Sequence, residues 1–191
     1  MAPNARTRAA ASRFVLLLRG VNVGRGPRVP MADLRTLLES LGHRHVSTLL
    51  NSGNAMFSAE DGAAAAHAPA IAAALKERLG VDTPVVVVSA ATFAAIVVGN
   101  PIVPPASDHA RFLVAFAMEA AALTALERLR PLLQPGERLA VTPQAAYLHC
   151  TAGLLESRAG AALLGPAGRG VTTRNWNTVL KLAARLAEGA S

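Results

Sequence analysis

The chain has 191 residues, of which 52% are hydrophobic, and it carries a formal net charge of +7. This length and apolar content suffice for one domain with a sizeable core or for two small ones. No apolar run is long enough to span a membrane, residues 1–12 lack the apolar stretch of a signal peptide, and the single cysteine, Cys150, excludes an internal disulfide. We therefore expect a soluble, cytoplasmic protein without membrane contact, bound metal or cofactor.

The first half of the chain reads as a β-α-β-β-α-β unit. The apolar run FVLLL has the length of a buried strand, and leucines at helical spacing then predict a helix that starts at Pro30. Two strands flank residues 51–53 as a tight hairpin, a second helix starts at Pro69, and strand 84–88 follows. This order is the split βαβ of a ferredoxin-like unit, extended by a short helix that Ser89 caps.

The second half repeats the order only in part. Strand RFLVAFA, a helix stopped at Pro131 and a hairpin around residues 142–144 are followed by a short helix near 157–164. Where a fourth strand would complete the unit, TTRNWNTVLKL predicts a closing helix with Thr172 or Thr173 as its N-cap.

These patterns predict an α+β protein with two ferredoxin-like (split βαβ) subdomains in tandem. The second subdomain is expected to be incomplete and closed by a C-terminal helix. The predicted organisation comprises a disordered N-terminal tail over 1–12, a first subdomain over 13–98, a Pro-rich linker over 99–110 and a second α+β subdomain over 111–188.

Topology brings two loops of the first subdomain together. A crossover helix joins the first and second strands, so these strands run parallel and end at the same edge of the sheet. The loop RGVNVGRG and the turn NSGN should therefore be neighbours, next to the start of the first helix. Glycine-rich backbone, arginines and a helix N-terminus together suit a phosphate or carboxylate. A surface turn and an ordinary hairpin are the alternative interpretations.

The closing helix adds a second polar cluster. Its apolar face includes Trp176, Val179, Leu180, Ala183 and Leu186, so the tryptophan is expected in the core. Its other face carries cations that have no acid nearby before Glu188, which favours an anionic partner, although a solvated face has the same pattern. The predicted ligand-binding residues are Arg19, Gly20, Asn22, Gly24, Arg25, Ser52, Gly53, Asn54, Arg174, Asn175, Asn177 and Lys181.

Other constellations do not indicate catalysis. His43 and His45 lack an obvious third metal ligand and are expected at the surface. His149 and Cys150 are neighbours on a strand and point to opposite faces, so they cannot pair as base and nucleophile. Cys150 is better explained as a small core residue.

Six motifs in a distinctive order, LLRGVNVG, VPMADLRTLLESLG, LLNSGNAMF, NPI, YLHC and TTRNWNTVLKL, resemble the bacterial domain-of-unknown-function family 1697. The resemblance implies an α+β fold of two related subdomains and no assigned activity. Ile102, Cys150, Arg158 and Ala159 depart from the family pattern. That pattern carries over at Arg19, Gly20, Asn22, Gly24, Pro30, Ser52, Gly53, Asn54, Asn100, Pro101, Arg174, Asn175, Trp176 and Asn177.

Three functions fit the sequence. The first is a site for a small anionic ligand at the two loops, extended by the start of the closing helix. The second is a structural role, in which the same motifs hold the joint between subdomains. The third is nucleic-acid binding on a basic sheet, for which the chain offers few aromatic residues to stack on bases.

Overall fold

A computed structural model describes residues 11–60 and 63–188. Its elements form a mixed α+β fold with two four-stranded antiparallel sheets and six α-helices in the described residues. None of these helices combines the length and the apolarity that crossing a bilayer requires. Most of the tail expected over 1–12 lies outside the described residues, and the first strand already includes Ser12.

The first half follows the predicted element order, and its continuous apolar strands are buried. One helix differs from the prediction, because it begins five residues before Pro69, which sits inside it. Alanines fill the turn ahead of this proline and favour the helical conformation. The elements are β1 (Ser12–Leu18), α1 (Met31–Ser40), β2 (Arg44–Leu49), β3 (Asn54–Ala59), α2 (Ala64–Leu79), β4 (Val85–Ser89) and α3 (Ala90–Val98).

The second half contains the fourth strand that the sequence analysis replaced with a helix. Residues Thr172–Asn175 form β8 beside β5, so the second sheet is complete and the prediction of an incomplete subdomain is wrong. After α4 the chain continues as a 3-10 helix through Pro131 to Leu132. The elements are β5 (Phe112–Phe116), α4 (Ala120–Thr124), β6 (Arg138–Val141), β7 (Ala146–His149), α5 (Arg158–Leu164), β8 (Thr172–Asn175) and α6 (Trp176–Glu188).

The start of α6 also differs from the prediction. The Asn175 side chain accepts a hydrogen bond from the Thr178 N–H at 3.0 Å, so Asn175 is the N-cap, and not Thr172 or Thr173. Trp176 is buried, as predicted, while Leu180 is exposed and Leu182 takes its place in the core. Arg174 therefore lies on a strand one residue before the cap, not on a helix.

The two sheets have the same strand order. The first sheet runs β2-β3-β1-β4 and the second runs β6-β7-β5-β8. In the first sheet, β1 and β2 are each antiparallel to β3 and are therefore parallel to each other, as expected. The two sequence halves thus share one topology, each followed by an additional helix.

Both faces of each sheet are covered, which explains the continuous apolar strands. Helices α1 and α2 cover the outer face of the first sheet, and α4, the following 3-10 helix and α5 cover the outer face of the second. Helices α3 and α6 pack on each other between the two inner faces. The core between the sheets is therefore shared by both halves; it includes Val15, Leu17, Val86, Val88, Phe93, Ile96, Phe112, Val114, Phe116, Tyr147, Trp176 and Val179.

Candidate functional site

The two predicted loops are neighbours in the structure. The Asn22 side-chain amide donates hydrogen bonds to the carbonyls of Val29 and Asn51, both at 2.7 Å, which ties the β1–α1 loop to the β2–β3 turn. Gly53 has a φ of +72°, and a Cβ at this position would lie 2.6 Å from Val21 Cγ2. Glycine is required at this turn because of both the backbone conformation and the close approach of the loop.

Arg174 joins β8 to the ends of β1 and β3. Its Nε donates to the Asn54 side-chain oxygen, and its two terminal nitrogens donate to two groups of the second half and to three carbonyls of the first. All five N–H groups of the guanidinium therefore have acceptors within the protein. The five acceptors of the terminal nitrogens are the Thr172 hydroxyl at 3.0 Å, the Thr173 carbonyl at 2.7 Å, the Leu18 carbonyl at 2.8 Å, the Ser52 carbonyl at 3.0 Å and the Gly53 carbonyl at 3.4 Å.

Arg19 makes a second connection between the halves. Its side chain extends from the end of β1 and donates to four backbone carbonyls between the last residue of α5 and the start of β8. One of these carbonyls, that of Leu164, belongs to the last residue of the helix, whose C-terminal carbonyls attract a cation. The acceptors are the carbonyl oxygens of Leu164, Gly165, Gly168 and Val171.

Positive charge at this joint is not neutralised by acids. Within residues 11–60 and 63–188, neither Arg19 nor Arg174 forms an ion pair with a carboxylate. Burial lowers the pKa of Arg174 to about 10. Burial also lowers the pKa of Arg19, and repulsion from the nearby guanidinium of Arg169 lowers it further. Arg19 and Arg174 at the cleft, with Arg169 close to Arg19, therefore form a cationic region of the kind that attracts anions.

A cleft of about 500 Å³ opens beside these residues. Its volume falls within the range of small-molecule sites. Its polar lining comes from the end of β1, the β2–β3 turn, β8 and the first turn of α6, and comprises Arg19, Gly20, Ser52, Thr172, Thr173, Arg174, Asn175 and Thr178. Its apolar lining comprises Val21, Val23, Leu113, Leu154, Leu163 and Leu164.

The predicted site residues separate into three groups. Arg19, Gly20, Ser52, Arg174 and Asn175 line the cleft. Asn22, Gly53 and Asn54 lie behind it and hold the loops in place. Gly24, Arg25, Asn177 and Lys181 are exposed and do not line it.

The sequence analysis missed several residues of this region. Thr173 and Thr178 line the cleft, and Arg169 lies close to Arg19. A signal for Arg169 was present, since it stands between Gly168 and Gly170 in a pattern that resembles the arginine-glycine pairs of the first loop. The apolar lining could not be recognised, because leucines of α5 look the same in sequence whether they face a core or a cleft.

The equivalence of the two halves can be followed residue by residue. Ser89 caps α3 and faces Phe14 across the β1–β4 ladder. Asn175 caps α6 and faces Leu113 across the β5–β8 ladder. The pair Phe14–Ser89 therefore occupies the same place in the first sheet as Leu113–Asn175 in the second. Counting along the strands from these two pairs gives the equivalent of each other strand residue.

This count assigns an apolar residue to each main polar position of the joint. Residues equivalent to the Arg174–Asn54 pair lie in the shared core, and the equivalent of Arg19 follows β5. Thr172, Thr173, Arg174, Arg19 and Asn54 correspond to Val86, Val87, Val88, Met118 and Ala145.

The cleft is present in both halves. A smaller cleft of about 250 Å³ has among its lining residues Val87, Val88, Ser89, Thr92 and Met118. Their equivalents Thr173, Arg174, Asn175, Thr178 and Arg19 line the larger cleft. The molecule thus contains the same recess twice, once with a cationic lining and once with a mainly apolar lining.

The remaining titratable clusters do not form a metal centre. In the parts of the chain that the structure describes, no group of three His, Cys, Asp or Glu side chains could hold a metal ion. His43 stacks on Phe57 with ring centroids 4.2 Å apart, so it is half-buried rather than a surface residue as expected. His149 pairs with Asp108 at 2.8 Å. Cys150 is buried on the other face, and this burial raises the pKa of its thiol.

The aromatic residues considered for nucleic-acid stacking are not available at the surface. Phe14, Phe57, Phe112, Phe116 and Tyr147 are all at most 2% exposed. Sheet modules that bind single-stranded nucleic acid present such rings to solvent. The faces that would display them here are covered by helices or by the other half.

Fold and site together define a class: an α+β protein with two equivalent four-stranded sheets, a shared core and a cationic cleft at the joint between the halves. The chain belongs to the family described as protein of unknown function (DUF1697), whose model matches residues 11–147. The conserved bacterial protein SP0830 from Streptococcus pneumoniae is a structural relative with 26% identity and a TM-score of 0.70, and the match covers 93% of this chain and 99% of that one. A comparison with curated proteins finds no match.

Proposed function

We propose that this protein binds a small anionic ligand, carrying a phosphate or a carboxylate, in the cationic cleft. The observation that supports this function best is the contrast between the two equivalent recesses. In the equivalent apolar recess, valine, methionine and alanine occupy the corresponding positions, so the shared topology does not in itself call for charged side chains there. Buried charged groups often contribute no more to stability than well-packed apolar side chains of similar volume. The arginines of the other recess therefore serve a purpose beyond packing.

The available donors suggest how an anion is held. The Nε–H of Arg19 and the backbone N–H of Gly20 have no acceptor among the described residues, and Gly20 lines the cleft. Ser52 and Thr173 add hydroxyl groups to the lining. Arg174 contributes its charge rather than a free donor, since its N–H groups are already used. Backbone and guanidinium donors of this kind are typical of phosphate and carboxylate sites.

The ligand-binding experiment uses isothermal titration of the full chain with inorganic phosphate and acetate at low salt. Arg169→Ala is the informative variant, because Arg169 is exposed and its loss leaves the connections of Arg19 and Arg174 in place. Arg25→Ala is the matched control, since Arg25 is an exposed arginine that does not line the cleft. We expect Arg169→Ala to weaken binding about five- to tenfold and Arg25→Ala to leave it unchanged. Equal effects of the two variants would refute the site.

A structural joint is the second candidate function. It is favoured by the complete hydrogen bonding of Arg174 and by the four carbonyls that surround Arg19. In this case the arginines orient the halves for interaction with another molecule. Failure of every anion to bind, together with a large loss of stability in Arg174→Met, would support the joint over the ligand site.

We also propose that each half is a ferredoxin-like unit, over 13–98 and 111–188, with 99–110 as the linker. The common β-α-β-β-α-β order and the common strand order support this description.

Nucleic-acid binding is not favoured. The chain has a positive net charge, but the aromatic residues that would stack on bases are buried. A filter-binding series with single-stranded RNA should accordingly show only weak affinity that disappears with salt.

A further inference from the structure

We infer that the ligand of the cationic cleft is an amphiphile: an anionic head group attached to a short apolar chain. This inference rests on the proposed anion site and specifies its ligand class. It is based on the composition of the lining, in which six of the residues are aliphatic. An inorganic anion or a sugar phosphate would leave the exposed ones, Val23 and Leu164, facing water, whereas an alkyl chain would cover them.

The position of Arg19 places the two chemistries side by side. Its Nη2 donates to the carbonyls of Leu164 and Gly165, both at 3.3 Å, so the guanidinium lies directly against the end of α5. Leu164 is 47% exposed and lines the cleft at this point. If an anionic group binds at Arg19, the ligand atoms attached to that group therefore lie beside an exposed leucine.

A second exposed aliphatic residue extends this apolar surface. Val23 of the β1–α1 loop is 54% exposed and lines the same cleft, together with the half-buried Leu154. Exposed aliphatic side chains grouped around one recess are typical of ligand-binding sites. The floor is made by buried leucines, Leu113 and Leu163. The cleft therefore provides a path of aliphatic contacts that begins at the cationic groups.

The equivalent recess does not share this arrangement. Its side near α2 is formed by Ala63, Ala64 and Ala65, which present far less apolar surface than leucines. The larger aliphatic side chains and the arginines thus occur in the same copy of the recess. Their combination selects ligands in which charge and hydrocarbon are joined.

The test is isothermal titration of the full chain with monoalkyl phosphates of one to eight carbons, below their micelle concentrations. Inorganic phosphate and 1-octanol serve as the two partial ligands. We expect affinity to increase roughly two- to fourfold for each added methylene until the cleft is filled. Octyl phosphate should bind at least tenfold more tightly than 1-octanol, because the alcohol lacks the charge.

Two variants separate the head-group and chain contributions. Leu164→Ser should flatten the dependence on chain length and weaken octyl phosphate about tenfold, with inorganic phosphate unchanged. Val98→Ser is the matched control, since Val98 is 88% exposed and does not line the cleft. Val23→Ser provides an independent variant if Leu164→Ser lowers the melting temperature.

The outcomes distinguish this inference from the proposed function. Affinity that depends on Arg169 but not on chain length would overturn the amphiphile and leave the anion site intact. Binding of 1-octanol as tight as that of octyl phosphate would overturn it as well, since the charge would then be irrelevant. If no phosphate of any chain length binds in a manner sensitive to Arg169→Ala, the anion site itself fails.

Discussion

Arg174 is a charged residue in an apolar setting. It is 8% exposed, and its neighbours supply neutral oxygen atoms rather than a carboxylate. Carbonyl dipoles can solvate a guanidinium, but they do not cancel its charge. This explains how one residue can both hold the two halves together and maintain a positive potential at the cleft.

Removing the Arg174 guanidinium should destabilise the protein strongly. Arg174→Ala leaves the buried Asn54 side-chain oxygen without a donor and removes the guanidinium hydrogen bonds to the surrounding carbonyls, so we expect the free energy of unfolding to fall by roughly 3–5 kcal/mol. Urea titration followed by circular dichroism measures this change.

Arg25→Ala is the control for the stability measurement and should remain within about 0.5 kcal/mol of the wild type. A double-mutant cycle with Asn54→Ala should give a coupling of about 1–3 kcal/mol, because both groups share one buried hydrogen bond. A loss below about 1 kcal/mol in Arg174→Ala would contradict this description of the cluster.

His43 is expected to make stability depend on pH. Burial, and to a smaller extent repulsion from His67, lowers the pKa of His43 from its ordinary value of 6.5. The unfolded chain then binds a proton more readily than the folded one. The stability that depends on a neutral His43 is therefore fully present above pH 6.5, and it is lost as the pH falls below this value towards the lowered pKa of the folded state.

Urea unfolding at pH 7.5 and pH 5.5 tests this dependence. His43→Gln should reduce the difference between the two conditions, because glutamine does not titrate. His45→Gln is the matched control, as His45 is exposed and lies on the same segment. An equal pH dependence in the wild type and in His43→Gln would exclude His43 as the source.

At the scale of elements, the junction of β8 and α6 sets the position of Arg174. Asn175 ends the strand and caps the helix, so the residue before it must face the other half while Trp176 enters the shared core. In the sequence RNW, Arg174 therefore connects the two halves, Asn175 caps α6 and Trp176 packs in the shared core.

Loss of the cap should weaken α6 measurably. Asn175→Ala removes the acceptor for the Thr178 N–H and hydroxyl, and we expect a loss of about 1 kcal/mol in the free energy of unfolding. Asn177→Ala is the matched control, because Asn177 is exposed one residue inside the same helix. Similar effects of both substitutions would contradict the assigned cap.

The elements of the first half were predictable because their local patterns agree with their environment. Buried strands read as apolar runs, and Pro30 and Gly42 mark the ends of α1. Strand β8 was not predictable in this way. Its sequence TTRN is polar, because its side chains meet the ends of β1 and β3 rather than a core.

The candidate site was predictable where it depends on chain topology. Adjacency of the Asn22 loop and the Gly53 turn follows from the parallel direction of β1 and β2. The connections of Arg19 and Arg174 to distant carbonyls could not be predicted, since they depend on how the halves pack. The same packing determines which leucines of α5 line the cleft.

At the scale of the whole molecule, the shared core makes the two halves interdependent. Val15, Leu17, Val86 and Val88 of the first sheet are at most 7% exposed, and they contribute to the same core as Phe112, Val114 and Trp176 of the second half. A half expressed alone would present this face to water.

Cooperative unfolding is the expected consequence. The full chain should unfold in a single calorimetric transition with equal van't Hoff and calorimetric enthalpies. Separate polypeptides covering 1–105 and 106–191 should each lack a cooperative transition and bind a hydrophobic dye. Two resolved transitions in the full chain would show that the halves are independent.

The joint also protects two sheet edges. The outer side of β4 is covered by the segment after β5, where the Val87 N–H donates to the Met118 sulfur at 3.2 Å. The outer side of β8 is covered at the end of β1, where the Thr172 hydroxyl donates to the Leu18 carbonyl at 3.2 Å. The less protected edges are therefore β2, which is irregular between Arg44 and Ser47, and the four-residue β6. Among the described residues, the two sheets therefore present no long, regular edge on which fibrils could grow.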